Sequence, residues 1–316
     1  MITLDTIKQA ADVVKPYVKR TPQWRSDTLS QRLNTNVYLK AELFQHSGSF
    51  KTRGAFNQIL ALSEQERAKG VVAVSGGNFA RAVAYASQVL GVDAIVCMPE
   101  NAPAGSIAAT RNYGAQVELV ADATVAFARA DELVTQGRTA LHPFDAPNQH
   151  AGNGLVGVEI VEDCPEVTDI LISIGGGGLI AGMIVALKAL KPSIRIWGVE
   201  TDGAQTMKTA LDAGHIVNIK PTSLSKTLSA PFVGEDALQL CRDHLEDLLI
   251  VTDQEAIIAQ QTIIENDKIV PELAASVTLA AADKIKDQFT PDDHVVLLMC
   301  GGNDSVADLV KYSAMI

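Results

Sequence analysis

Positive charge is scarce in this sequence. Its 316 residues hold 26 Lys and Arg against 37 Asp and Glu, a formal net charge of −11, and no basic run of five or more occurs. A nucleic-acid binder needs basic patches to neutralise phosphates, so that class is excluded. Cysteine is also sparse: Cys97, Cys164, Cys241 and Cys300 are the only four, and no two lie within 50 residues of each other. No CxxC metal or redox pair exists, and no disulfide framework is implied. Reduced thiols in a cytoplasmic protein are the expectation. The six histidines are scattered without HExxH spacing, which leaves no metal site to predict. No run of 18 apolar residues occurs, so no membrane span is expected. The N-terminal MITLDTIKQAADVVKPYVKR mixes charge with apolar residues at helical spacing and does not read as a signal peptide. Aromatics make up only 5% while hydrophobic residues make up 47%, the composition of an ordinary globular chain.

What is present is alternation. Strands are predicted at 71–75, 93–99, 116–120, 139–144, 168–174, 194–200 and 293–299. Between them lie helical stretches at 78–90, 106–113, 123–135 and 179–190, with a final helix after 299. Strands alternating with helices imply βαβ units and an α/β fold with largely parallel sheets. The apolar runs do not alternate in polarity, as suits strands covered on both faces. Ligands in such sheets bind beyond the carboxyl ends of strands, so chemistry is sought in the loops there.

Three such loops are glycine-rich. Gly175-Gly176-Gly177-Gly178-Leu179 follows a strand and opens a helix. Its backbone N–H groups and the helix dipole suit a phosphate. The same segment also fits a dinucleotide fingerprint through Gly176, Gly178 and Ala181, with Glu200 as a ribose ligand. Ser75-Gly76-Gly77-Asn78 is a second anion-cradling turn, or else Ser75 or Asn78 merely caps the next helix. Cys300-Gly301-Gly302-Asn303 follows the last strand, which aims Cys300 at a ligand or leaves it a small buried hydrophobe.

One lysine stands out. Lys51, in HSGSFKTRGA (46–55), begins a helix predicted over 51–62. The positive end of the helix dipole and burial both favour its neutral amine, as a nucleophilic lysine requires.

Together SGSFKTRGA (47–55), SGGN (75–78), the tetraglycine turn, CGGN (300–303) and HPFDAPNQHAGNG (142–154) resemble the pyridoxal-phosphate enzymes of fold type II. The nearest branch is that of the serine/threonine dehydratases and serine racemases. The resemblance implies pyridoxal 5'-phosphate as cofactor and two lobes, each with a largely parallel sheet flanked by helices. The expected division is 1–62 with 146–316 as a large cofactor-binding domain, and 63–145 as a small substrate-loop domain. It implies that Lys51 is linked to the cofactor and acts as the catalytic base. Phe50 packs near the ring, Asn78 meets the ring oxygen, Gly175 to Gly178 and Leu179 hold the phosphate, and Cys300 meets the ring nitrogen. Ser75, Gly76, Gly77, Asn78 and Phe79 are implied to hold the amino-acid substrate. The implied reaction eliminates water from a β-hydroxy amino acid such as L-threonine or L-serine, giving a 2-oxo acid and ammonia. Serine racemisation, a hydroxyaspartate lyase and a non-catalytic metabolite-binding protein are the alternatives. A homodimer is the family expectation.

Several positions depart from the resembled pattern. Gly76 stands where racemases carry a serine, which disfavours racemisation. Phe79 stands in place of the usual histidine. The usual acid near Ile269–Leu273 reads as Val270, and the usual glycine near Thr227 is absent. Thr206 replaces an aspartate that would join Glu200 around a cation. Arg81 is a candidate for a second substrate carboxylate, with a solvated arginine the plainer reading. The chain ends one helix after CGGN, so no regulatory domain is expected.

Overall fold

In the computed structural model, which describes all 316 residues, fourteen α-helices and ten strands alternate. The first part holds α1 (Leu4–Val14), β1 (Gln23–Arg25), α2 (Asp27–Leu33), β2 (Asn36–Ala41), α3 (Lys51–Leu60) and α4 (Glu64–Lys69). The middle runs β3 (Val71–Val74), α5 (Asn78–Leu90), β4 (Ala94–Pro99), α6 (Ala104–Asn112), β5 (Gln116–Val120), α7 (Ala123–Thr135) and β6 (Thr139–Leu141). Next come α8 (Pro147–Asp163), β7 (Asp169–Ser173), α9 (Gly178–Leu190), β8 (Arg195–Thr201), α10 (Thr206–Ala213) and α11 (Glu235–His244). The chain finishes with β9 (Asp247–Val251), α12 (Asp253–Asp267), α13 (Leu273–Lys284), β10 (His294–Met299) and α14 (Val306–Ser313).

Most predicted elements fall within two residues of these bounds, with one clear exception. The strand expected over 139–144 stops at Leu141 because the chain turns there. His142 Nδ1 accepts the N–H groups of Phe144 and Asp145 and holds that turn. The helix over 51–62 ends at Leu60. Capping sets several starts: Thr252 and Glu255 form a reciprocal box at α12, and Ser305 and Asp308 do so at α14.

The strands form two sheets. The six-stranded sheet has the order β1-β2-β10-β7-β8-β9, and only β1 is antiparallel. The four-stranded sheet, β5-β4-β3-β6, is wholly parallel. The central strand β7 buries Ile170 and Ile172 on one face among α8, α9 and α11, and Leu171 on the other among α12 and α13. Coverage on both faces explains its unbroken apolar run. No helix is long and apolar enough to cross a membrane.

Helix α8 was not predicted, because Gly152, Gly154 and Gly157 weaken its helical pattern. They serve packing instead. A Cβ on Gly152 would lie 2.7 Å from the α3 backbone at Arg53 and Gly54, and one on Gly182 would lie 2.1 Å from the His150 carbonyl. Helices α3, α8 and α9 thus cross backbone against backbone, which fixes α3 and the lysine at its start.

Candidate active site

The geometry begins with one short backbone pairing. Ser49 bridges Gly301, the Phe50 N–H donates to the Cys300 carbonyl at 3.1 Å, and the Gly302 N–H donates to the Gly48 carbonyl at 3.0 Å. The lysine loop is thereby pinned along the loop that follows β10. Strands β10 and β7 are direct neighbours, so the tetraglycine turn after β7 lies beside it. The three glycine-rich loops expected to carry chemistry and Lys51 are therefore gathered at the carboxyl ends of β3, β7 and β10.

Lys51 is the first residue of α3, and Phe50 precedes it without any side-chain cap. Its side chain keeps some surface on the cleft, but its Nζ is enclosed and donates only to the Pro143 carbonyl, at 2.6 Å. The rings of Phe50 and Phe79 lie 5.1 and 5.9 Å from it. It forms no ion pair. Burial pulls the amine down to about 8, and the nearby Cys300 and Glu272 oppose that only partly. Cys300 is buried and accepts from the Ser173 hydroxyl at 3.4 Å; burial pushes its thiol up and keeps it neutral.

The acid of the site is Glu272, not a position left empty at Val270. Val270 is 42% exposed, whereas Glu272 is 2% exposed. Asn78 Nδ2 donates to both its oxygens at 2.8 and 3.0 Å, and Thr227 Oγ1 donates at 3.0 Å. Thr227, at the other departure, is thus the partner of Glu272. Burial and the charge of Asp304 push Glu272 up to about 7. The signal for it was present: one acid set between Pro271 and the uncharged helix LAASVTLAAA.

Asn78 does not cap α5. Gly77 is the cap residue, with no side-chain bond, and Asn78 also accepts from Asn303 Nδ2 at 2.7 Å. Ser75 Oγ accepts the Gly77 N–H at 3.2 Å. Phe79 is 2% exposed and belongs to the core under the four-stranded sheet, with Lys51 Nζ over its ring. A Cβ on Gly76 would lie 3.1 Å from the Ala102 Cβ, so the missing side chain has little room. Arg81, read as a solvated residue, is instead half-buried and donates to Asn303 Oδ1 at 2.7 Å.

The tetraglycine turn offers the clearest cradle for an anion. The N–H groups of Gly175, Gly176 and Gly177 donate to no protein acceptor. Gly177 has φ +88° and caps α9. The Phe144 ring and backbone pack on Gly176 and Gly178, so neither tolerates a Cβ. N–H groups without a protein acceptor, gathered at a helix N-terminus, suit a phosphate. The dinucleotide reading fails on Glu200. That carboxyl is fully buried and accepts the N–H groups of Met207 and Lys208 at 2.7 and 2.9 Å, so it caps α10 and has no ribose to hold. Thr206 donates to the Ala230 carbonyl.

Comparisons with known proteins agree with this geometry. Residues 14–301 match a family described as pyridoxal-phosphate dependent enzyme. An L-threonine ammonia-lyase of Thermotoga maritima is 38% identical over 312 residues, covering 97% of this chain and 77% of the relative. The catabolic L-threonine dehydratase TdcB of Staphylococcus aureus is 35% identical over 322 positions, covering 100% and 92%. The structure of maize serine racemase superposes with a TM-score of 0.93 at 31% identity, covering 99% and 97%.

Proposed function

The chain belongs to the pyridoxal-phosphate-dependent enzymes, and on that premise we propose that it is an ammonia-lyase of β-hydroxy amino acids. The substrate is one such as L-threonine or L-serine, and the products are a 2-oxo acid and ammonia. The observation that carries the reading is a buried lysine without a counter-ion beside a helix N-terminus with three unbonded N–H groups. These residues fit the cofactor. Lys51 would hold it covalently, with Phe50 beside the ring. Gly175 to Gly178 and Leu179 hold its phosphate through N–H groups and the α9 dipole. Asn78, fixed by Glu272 and Asn303, would meet the ring oxygen, and Cys300 would meet the ring nitrogen.

When bound, the cofactor supplies the electron sink that stabilises negative charge at the substrate Cα. The protein does the rest. The Gly76 N–H, which has no protein acceptor, and the Ser75 hydroxyl, which the Gly77 N–H holds at the start of α5, orient the substrate carboxylate, with Asn78 and Phe79 forming the adjoining wall. The Lys51 amine, held near 8, is neutral in enough molecules at neutral pH to accept the Cα proton. Hydroxide then leaves Cβ. Cys300 stays an uncharged thiol and places no negative charge at the ring nitrogen, which favours elimination over transamination. Elimination is preferred to racemisation because Gly76 offers no base on the opposite face.

We extend the reading to the assembly. Residues 1–62 and 146–316 form the large unit and 63–145 the small one, in a homodimer of the cytoplasm; four free, buried cysteines fit a reducing compartment. The test is a coupled assay for 2-oxo acid on a panel of β-substituted amino acids. The account expects turnover of L-threonine or L-serine that Lys51→Ala abolishes. Cofactor binding with no turnover of any panel member would replace it with the non-catalytic reading.

A further inference from the structure

Beside the site lies a cavity of about 70 Å³, walled by Gly77, Asn78 and Arg81 of α5, by Ser225 and Lys226, and by Glu272. Its polar groups are unequally engaged. Three carboxylates line it, and all are supplied with donors. Glu272 accepts from Asn78, Thr227 and the Asn303 N–H. Asp304 accepts from Gln260 and the Leu273 N–H, and Asp308 from the Ser305 N–H and hydroxyl. Lys226 donates to the Ser223 carbonyl.

Arg81 is the exception. It has no ion pair, and only Nη1 is bonded, to Asn303 Oδ1. Its Nε is buried with no partner, and so is the Ser225 hydroxyl on the same cavity. Unbonded buried donors cost stability unless a ligand satisfies them. A guanidinium fork with a free edge matches a carboxylate held by two parallel N–H bonds. The cavity shares Gly77 and Asn78 with the substrate loop, so a ligand held there continues from one held at the reacting centre.

We propose that Arg81, with Ser225, receives a second carboxylate, making the substrate an acidic β-hydroxy amino acid of the 3-hydroxyaspartate type. This rests on the lyase reading above and deepens it. The α-carboxylate goes to the free Gly76 N–H and the Ser75 hydroxyl of the Ser75–Gly77 loop, and the distal carboxylate fills the cavity. A threonine methyl group there leaves Nε and the Ser225 hydroxyl unsatisfied.

The test measures kcat/KM of the holoenzyme for L-threo-3-hydroxyaspartate and for L-threonine, in wild type, Arg81→Gln and Arg81→Lys. The acidic substrate is expected to be favoured at least about 10-fold in wild type. That preference should fall roughly 100-fold in Arg81→Gln, with Arg81→Lys between. In parallel, succinate should raise the melting temperature of the wild-type holoenzyme and not that of Arg81→Gln, while butyrate raises neither. A wild-type preference for threonine overturns the proposal. So does a preference unchanged in an Arg81→Gln protein of normal melting temperature and cofactor absorbance. If neither amino acid is turned over, the lyase reading fails, and the succinate shift then decides this one: an Arg81-dependent shift supports it, and no shift overturns it.

Discussion

Two cations stand two residues apart on α3 and meet opposite fates. Arg53 is completely buried, yet its guanidinium donates to Glu42 at 2.8 and 2.9 Å and to Glu159 at 2.7 and 2.8 Å. Lys40, also completely buried, completes the cluster by donating to Glu159 and to the Thr21 carbonyl. Asp163, 3.6 Å from Lys40 and paired with Arg20, joins the cluster, so three positive and three negative groups balance there and Arg53 is held charged. Lys51 shares the helix but has one carbonyl and two aromatic rings for company, and it is driven toward neutrality. Burial with compensation produces a structural tie between α3 and α8. Burial without it produces a reactive amine.

The comparison is broken most severely at the lysine. Lys51→Ala is expected to lower turnover by at least about 1,000-fold while leaving circular dichroism unchanged. At the other cation the effect should be on folding. Arg53→Ala leaves the buried Glu42 carboxylate without a cation and Glu159 with Lys40 alone, and should cost about 3–5 kcal/mol in denaturant unfolding. A variant at Arg53 that kept full stability but lost turnover would erase the distinction drawn here.

Linkage sharpens the contrast. Lys51 falls from an ordinary 10.5 to about 8 in the folded apo-chain, so between those values the unfolded state binds the proton and the folded state does not. Stability of the apo-chain should therefore rise with pH across that window, by about 3 kcal/mol if no other group intervenes. Urea titrations from pH 7 to 11 should show the stability of wild type rising relative to that of Lys51→Met, while the buried thiols, pushed up by burial, lower both proteins alike above pH 9. Glu272 acts in the opposite sense. Its carboxyl is raised from 4.5 to about 7, so the folded state holds the extra proton and stability should fall as pH rises through that range. Glu272→Gln should reduce this slope, measured from pH 4 to 8, leaving the part due to Glu200, whose buried carboxyl is also pushed up to about 7.

The sequence made the backbone of the site legible, because strand-end glycine turns and a lysine at a helix start are local signals. Gly175 to Gly178, Ser75 to Asn78, Cys300 and Lys51 could all be found that way. The partners were not legible, because they meet across long separations: Asn78 and Glu272 are 194 residues apart, and Arg53 and Glu159 are 106 apart. Arg81 read as solvated because nothing in α5 alone shows that Asn303 folds over it. Helix α8 was missed for a related reason. Its glycines serve contacts with α3 and α9 that only the folded chain contains. Strands β1, β2 and β9 were also missed, and β2 carries the buried Lys40 that disguises it as a polar segment.

The central claim is that Lys51 carries a buried amine without a counter-charge. Competitive acetylation of the apo-chain with acetic anhydride across pH 6 to 11, read peptide by peptide in a mass spectrometer, tests it directly. The account predicts that Lys51 labels with a midpoint of about 8, well below the surface lysines of the same chain. A midpoint at the surface value would contradict it.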